Sequence, residues 1–312
     1  MQNATPRGLI CSLALVQHPK DRRVYLGLES LIARLQPAVA GLFLDPMFWS
    51  PEANRCGAVP ASLLEEVIGL VTPGFPLWVR ITGSTAEQTI DTCRQLEAVC
   101  RRLNYKGPLA WVDTPLLYHS NRGLPDHYRV LLSETTFSLI ADNNPQLLRK
   151  VVDKTKRKNI RTAILRKLSH DLRMVGLLHR GDLRRSMNYQ RAVRGRSNFL
   201  VYDAGERSFL EKPSASGVVS VGANLLPQDW QTITRASLNL DERYQAQSSR
   251  FRRLWETGLR VRTLRKYYSQ APARIIPAVL SAWGLIQETG QPLSPEEQKA
   301  VNRILEHIPD PQ

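Results

Sequence analysis

Apolar and polar positions alternate along this 312-residue chain in two periods. Short apolar runs that read as strands fall at 9–16, 38–44, 77–81, 109–112, 137–141, 162–165, 199–202 and 218–221. Helical patterns lie between them, for example at 26–35 and 63–70. The best marked spans 85–103, where Ser84 and Glu87 form a capping-box pair and Ile90, Cys93, Leu96, Cys100 and Leu103 share one face. Eight strand-then-helix units predict an α/β fold, a (β/α)8 TIM barrel. A doubly wound sheet is the structural alternative, but it usually has fewer units and a glycine-rich first turn. Neither GxGxxG nor GxxxxGK[ST] occurs. Beyond residue 238 the pattern turns helical, at 241–268, 273–285 and 295–308. Ser294, Pro295 and Glu297 mark a strong helix start there. The organisation expected is a barrel over 1–238 and a C-terminal helical extension over 239–312.

Composition changes this picture little. With 42% apolar and 23% charged residues the chain is of ordinary globular type. No apolar run approaches the ~18 residues of a membrane span, so no membrane partner is expected. The apolar run at 9–16 continues into His18-Pro19-Lys20-Asp21 rather than a cleavage site, which argues against a signal peptide. Cys93 and Cys100 lie two helical turns apart and read as reduced core residues, so the expected location is cytoplasmic.

Charge adds more. The formal net charge is +15, and it is concentrated. Residues 149–196 hold sixteen Lys/Arg against Asp153, Asp171 and Asp182, and residues 243–274 hold nine against Glu256 alone. Like charges at this density repel unless a polyanion or an acidic surface offsets them. The six histidines form no HExxH or closely spaced ligand set, so neither metal nor cofactor is expected. His119 and His127 flank the segment after the fourth strand and read as surface residues. Asp113 and Asp142 fall at strand C-termini, where barrels hold their functional groups.

Several short motifs, taken in order, are similar to one family. GVVSVGAN at 217–224, ending in Asn224, resembles the eighth-strand motif GVISVxAN of the dihydrodipicolinate synthase / N-acetylneuraminate lyase group. NFLVYDAG at 198–205 resembles that group's seventh strand and the GDD-type turn after it. Asp113-Thr114-Pro115 with residues 123–128 is similar to its fourth strand and following helix, and Asp142-Asn143-Asn144-Pro145 to the YNxP end of its fifth. Residues 271–278 and 292–307 fit a three-helix extension.

The resemblance implies a Schiff-base aldolase barrel, with a lysine at the end of the sixth strand in a motif like GIKDSSGD. A lysine serves there because burial and neighbouring charge can free its amine. The corresponding stretch here is NIRTAILRKLSHDL at 159–172. Counting forward from Asn159 places Ile164 at the lysine, counting back from Ser169 places Arg166, and one further slip brings in Lys167. Arginine stays protonated and cannot form the imine. The YNxP tyrosine is Asp142, and the GRTG stretch that grips a carboxylate is missing before Leu147. Leu116-Leu117 replace a paired-tyrosine stretch, with Tyr118 one place later. The GTTGE loop is replaced by residues 45–57.

Nucleophile, proton relay and carboxylate grip have thus changed together. The leading expectation is a divergent member without the family reaction, kept for small-anion binding or assembly, with Arg166, Asp142 and Asn224 as ligand-binding residues and an Asp142–Arg166 ion pair. The alternatives are an active lyase on pyruvate or another 2-oxo acid, using Lys167 and Tyr118, and nucleic-acid binding through 149–196. The resemblance also implies a homo-oligomer, dimer or tetramer.

Overall fold

The computed structural model describes residues 5–18, 20–21, 24–49, 57–151, 158–213, 216–238, 248–287 and 292–308. Eight parallel strands pair in sequence order and close on themselves. They are β1 (Gly8–Ser12), β2 (Gly41–Leu44), β3 (Leu77–Arg80), β4 (Leu109–Asp113), β5 (Ser138–Asn143), β6 (Met174–His179), β7 (Leu200–Asp203) and β8 (Gly217–Ser220), with β1 paired to β8. Around them run α1 (Leu28–Leu35), α2 (Pro46–Trp49), α3 (Ala61–Leu70), α4 (Ala86–Arg102), α5 (Leu124–Ser133), α6 (Pro145–Val151), α7 (Thr162–Leu168), α8 (Leu183–Val193), α9 (Glu206–Glu211) and α10 (Pro227–Ser237). Helices α11 (Ser248–Tyr268), α12 (Pro272–Ala282) and α13 (Pro295–His307) follow. The predicted (β/α)8 barrel with a helical extension is the observed fold.

One strand was misplaced. The run at 162–165 is helical, the first part of α7, and the sixth strand is MVGLLH at Met174–His179. The two are hard to separate by period, because a four-residue apolar run fits either element. Two features favour the structure's choice. Leu165 and Leu168 are buried at helical spacing, and every residue of β6 is buried, as a parallel strand covered on both sides requires. A smaller correction concerns α4, whose N-cap is Thr85 rather than Ser84, its side chain accepting from Gln88 N at 3.2 Å.

Strand alternation sorts the core into two shells. Leu9, Leu42, Leu77, Trp111, Leu139 and Val218 face the helices. Ile10, Phe43, Trp78, Val112, Ile140, Leu178 and Tyr202 fill the lumen, with Trp78 and Tyr202 edge to face at 4.7 Å. The barrel is therefore packed through its middle rather than hollow. Cys11, Cys93 and Cys100 are buried free thiols, as core cysteines should be; Cys56 lies outside the described residues.

The extension is fastened to the barrel end by a buried carboxylate. Glu206 at the start of α9 accepts from Ser220 Oγ and Gly222 N, both at 2.7 Å, and from the Tyr268 hydroxyl at 2.8 Å. Farther along, α13 opens with the capping box expected from Ser294 and Glu297. The expected boundary at 238/239 falls at the edge of a stretch outside the described residues. Tyr268→Phe should lower the unfolding free energy by about 1–3 kcal/mol, because it strips a donor from a buried carboxylate. Urea denaturation reads this directly, and an unchanged midpoint would mean that α11 is held without the bond.

Candidate functional site at the mouth of the barrel

Continuing the alternation one step past the apolar lumen fixes what lies at the C-terminal mouth. Above Phe43 comes Asp45, above Trp78 Arg80, above Val112 Thr114, above Ile140 Asp142, and above Leu178 Arg180. These five polar residues, with Ser12 above Ile10, lie in the top layer of the barrel interior.

They are locked together. Arg80 is 1% exposed. Its Nε and Nη2 donate to Asp45 Oδ1 and Oδ2 at 2.6 and 3.0 Å, and Nη2 also donates to Asp142 Oδ2 at 2.9 Å. Nη1 donates to Thr114 Oγ1 at 2.5 Å, and that hydroxyl donates to Asp142 Oδ2 at 3.2 Å. The guanidinium also lies over the Phe43 ring, 5.2 Å from its centroid. Burial alone would weaken the protonated form, but Asp45 and Asp142 outweigh it and hold Arg80 more firmly charged than a free arginine. Arg180 closes the layer from above. It sits 3.8 Å from both Asp45 Oδ2 and Asp142 Oδ1, and its Nη1 donates to Ala204 O at 3.1 Å. Two carboxylates thus face two guanidiniums, so the layer carries no net charge.

This layer also shows where the sequence-derived candidates went. Asp142 is in a buried ion pair, as expected, but its partners are Arg80 and Arg180 and not Arg166. Arg166 and Lys167 are exposed on α7, outside the barrel. Lys167 lines a surface cleft of about 390 Å³ between α5 and α7, with Arg122, Asp126, Arg129 and Asp171. Ile164, the third candidate for the sixth-strand position, is on the same helix. Asn224 is a strut: its Oδ1 accepts from Ala14 N at 3.0 Å and its Nδ2 donates to Ser12 O at 2.8 Å, tying the turn after β8 to the end of β1. Arg80 and Arg180 were missed as site residues. The signal for Arg80 was available, since a charged residue inside the apolar run 77–81 must be paired if it points inward.

Tyr118 belongs to a second buried cluster. Asp113, one residue before the lumen-facing Thr114, projects to the helix side. Its Oδ2 accepts from the Tyr118 hydroxyl at 2.7 Å and from Tyr128 at 3.2 Å, and its Oδ1 accepts from Thr82 Oγ1 at 3.0 Å. His127 Nε2 lies 2.8 Å from the Tyr118 oxygen. His127 is 6% exposed, which corrects its reading as a surface residue, and His119 stacks on it at 5.3 Å. Burial and the Asp113 charge push the Tyr118 hydroxyl well up, so it remains a proton donor to Asp113. Among the described residues no three His, Cys, Asp or Glu side chains converge as a metal site.

Burial lowers the pKa of His127, partly opposed by Asp113, and burial likewise lowers that of His179. A depressed histidine makes the unfolded chain the better proton acceptor, so stability is lost as pH falls through the ordinary histidine range near ~6.5. Asp113, raised by burial, acts in the opposite sense, favouring the folded state toward low pH. His127→Gln should therefore flatten the loss of urea stability between about pH 7.5 and 5.5. An unchanged slope would show that His127 is not a source of it.

No family model matches the sequence, and no curated protein matches it. Solved structures do match, over nearly the whole chain. The dihydrodipicolinate synthase of Bacteroides thetaiotaomicron has a TM-score of 0.74 at 18% identity, covering 98% of this chain and 99% of its own. The chloride-inhibited dihydrodipicolinate synthase of Acinetobacter baumannii, complexed with pyruvate, has a TM-score of 0.73 at 16% identity, with 97% and 99% covered. N-acetylneuraminate lyase of Fusobacterium nucleatum has a TM-score of 0.72 at 12% identity, with 96% and 98% covered. At these identities the likeness establishes architecture: the chain has the fold of the dihydrodipicolinate synthases and N-acetylneuraminate lyase.

Proposed function

We propose that this protein is a divergent member of the dihydrodipicolinate synthase / N-acetylneuraminate lyase group that does not carry out Schiff-base chemistry and acts as a binding or assembly protein. The observation that carries the reading is the Arg80 layer. A bound 2-oxo acid would need the space at the strand ends, and there Arg80 is held by Asp45, Asp142 and Thr114.

Residue chemistry points the same way. None of the eight strands contains a lysine. The inward positions at the end of β6 are Leu178 and Arg180, one without a nucleophile and the other a permanent cation that cannot form an imine. Tyr118, the candidate proton relay, spends its hydroxyl on Asp113 and His127. The balanced charges at the mouth also give a small anion little to bind there. Interaction through the outer surface, where the unbalanced positive charge lies, is the stronger form of the proposal, and self-assembly as a dimer or tetramer is compatible with it.

Borohydride trapping with pyruvate and a panel of 2-oxo acids, read by intact mass beside an active synthase, tests the reading. The expected result is no adduct on this protein while the control is trapped. A reduced adduct, at Lys167 or any other lysine, would refute it.

A further inference from the structure

Helix α11 carries two apolar stripes, and the fold uses only one. Val261, Leu264 and Tyr268 are buried toward the rest of the protein. On the solvent side Trp255 is 61% exposed and Leu259 48% exposed. Four residues apart, they are neighbours on one helix face. The other exposed large hydrophobic residues among those described, Val24, Val130, Leu172 and Met187, stand far apart in sequence. Trp255 and Leu259 border a shallow cavity of about 200 Å³ completed by Leu254 of the same helix, Leu210 of α9 and Ile233 of α10.

Extending this face by helical spacing reaches Arg252 on one side and Arg262 and Lys266 on the other, all exposed, with the exposed Glu256 beside Trp255 as its one carboxylate against these three cations. Its order is therefore Arg, Trp, Leu, Arg, Lys, apolar at the centre and cationic at both ends. Arg260 and Arg265, on other faces of α11, are paired with Asp229 and Glu206.

Whatever covers this face must be apolar in the middle and negative around it. A second copy of the chain docked through this same face would set cation against cation. A nucleic-acid backbone supplies negative charge but nothing to fill an aliphatic cavity. A folded acidic partner would need roughly 800 Å² of complementary surface for a stable contact, more than two apolar side chains anchor. An anionic bilayer surface supplies both properties over a wide area: an interfacial layer where tryptophan is favoured, and a plane of negative charge for the whole basic segment.

We propose that the outward face of α11 docks on anionic phospholipid surfaces, with Trp255 and Leu259 entering the headgroup layer and Arg252, Arg262 and Lys266 meeting lipid phosphates. No helix among the described residues is long and apolar enough to cross a membrane. The sequence expectation of no membrane partner rested on the lack of such a span, and a surface contact needs none.

The test is cosedimentation of the full chain with phosphatidylcholine vesicles prepared with and without phosphatidylglycerol. Binding should require phosphatidylglycerol and weaken as salt is added. The double variant W255S/L259S, altered only at exposed positions, should bind at least about tenfold more weakly while keeping the wild-type circular dichroism. Brominated lipid should quench wild-type tryptophan fluorescence more than that of the variant. No phosphatidylglycerol-dependent binding, or binding unchanged in the variant, would overturn the proposal. So would loss of affinity for a short DNA duplex in W255S/L259S without vesicle binding by the wild type, which would assign the face to nucleic acid. The outcome is independent of imine trapping, so a protein that traps pyruvate and also binds vesicles would refute only the non-catalytic reading.

Discussion

A single buried guanidinium sets the character of the barrel mouth. Arg80 stands on β3 where the apolar lumen ends, and an ion with so little contact with water is tolerable only if its donors are met. Asp45 answers it from the end of β2, Thr114 from the end of β4 and Asp142 from β5, so one side chain ties three other strand ends to its own. Arg180, following β6, supplies the second cation that two carboxylates require. Taking one member away would leave a buried charge without its partner.

That interdependence bears directly on the proposed loss of Schiff-base chemistry. A lysine serves as a Schiff-base nucleophile only when its amine is kept neutral and open to the substrate. Here the inward positions at the end of β6 and just after it are an aliphatic residue and an arginine, and beside them Arg80 is held by charge-assisted hydrogen bonds. The barrel fold is retained, and the absence of Schiff-base chemistry is what we propose for it. On that proposal function passes to the exterior, where α11 exposes Arg252, Arg262 and Lys266.

The barrel was legible in the sequence because its signal is distributed. Seven of the eight strands lie where apolar runs placed them, and the Ser294 capping box marked the start of α13. The site was less legible because it depends on single registers. Taking the 162–165 run as a strand put Arg166 opposite Asp142, giving the right kind of interaction with the wrong partner. The continuous apolar stretch MVGLLH was the better strand, being suited to burial on both faces. His127 could have been placed from its neighbours, since Leu124, Tyr128 and Leu131 put it on the buried face of α5. The mutual pairing of Arg80, Asp45 and Asp142 could not, because it joins residues up to 62 positions apart through barrel closure alone.

The most direct test of this account is a double-mutant cycle between Arg80→Met and Asp45→Asn, measured by urea unfolding. If Arg80 is the keystone of a closed layer, the two substitutions will be strongly non-additive, with a coupling of about 2 kcal/mol or more. Additivity within about 0.5 kcal/mol would contradict it, showing that Arg80 does not organise the mouth through its carboxylate partners.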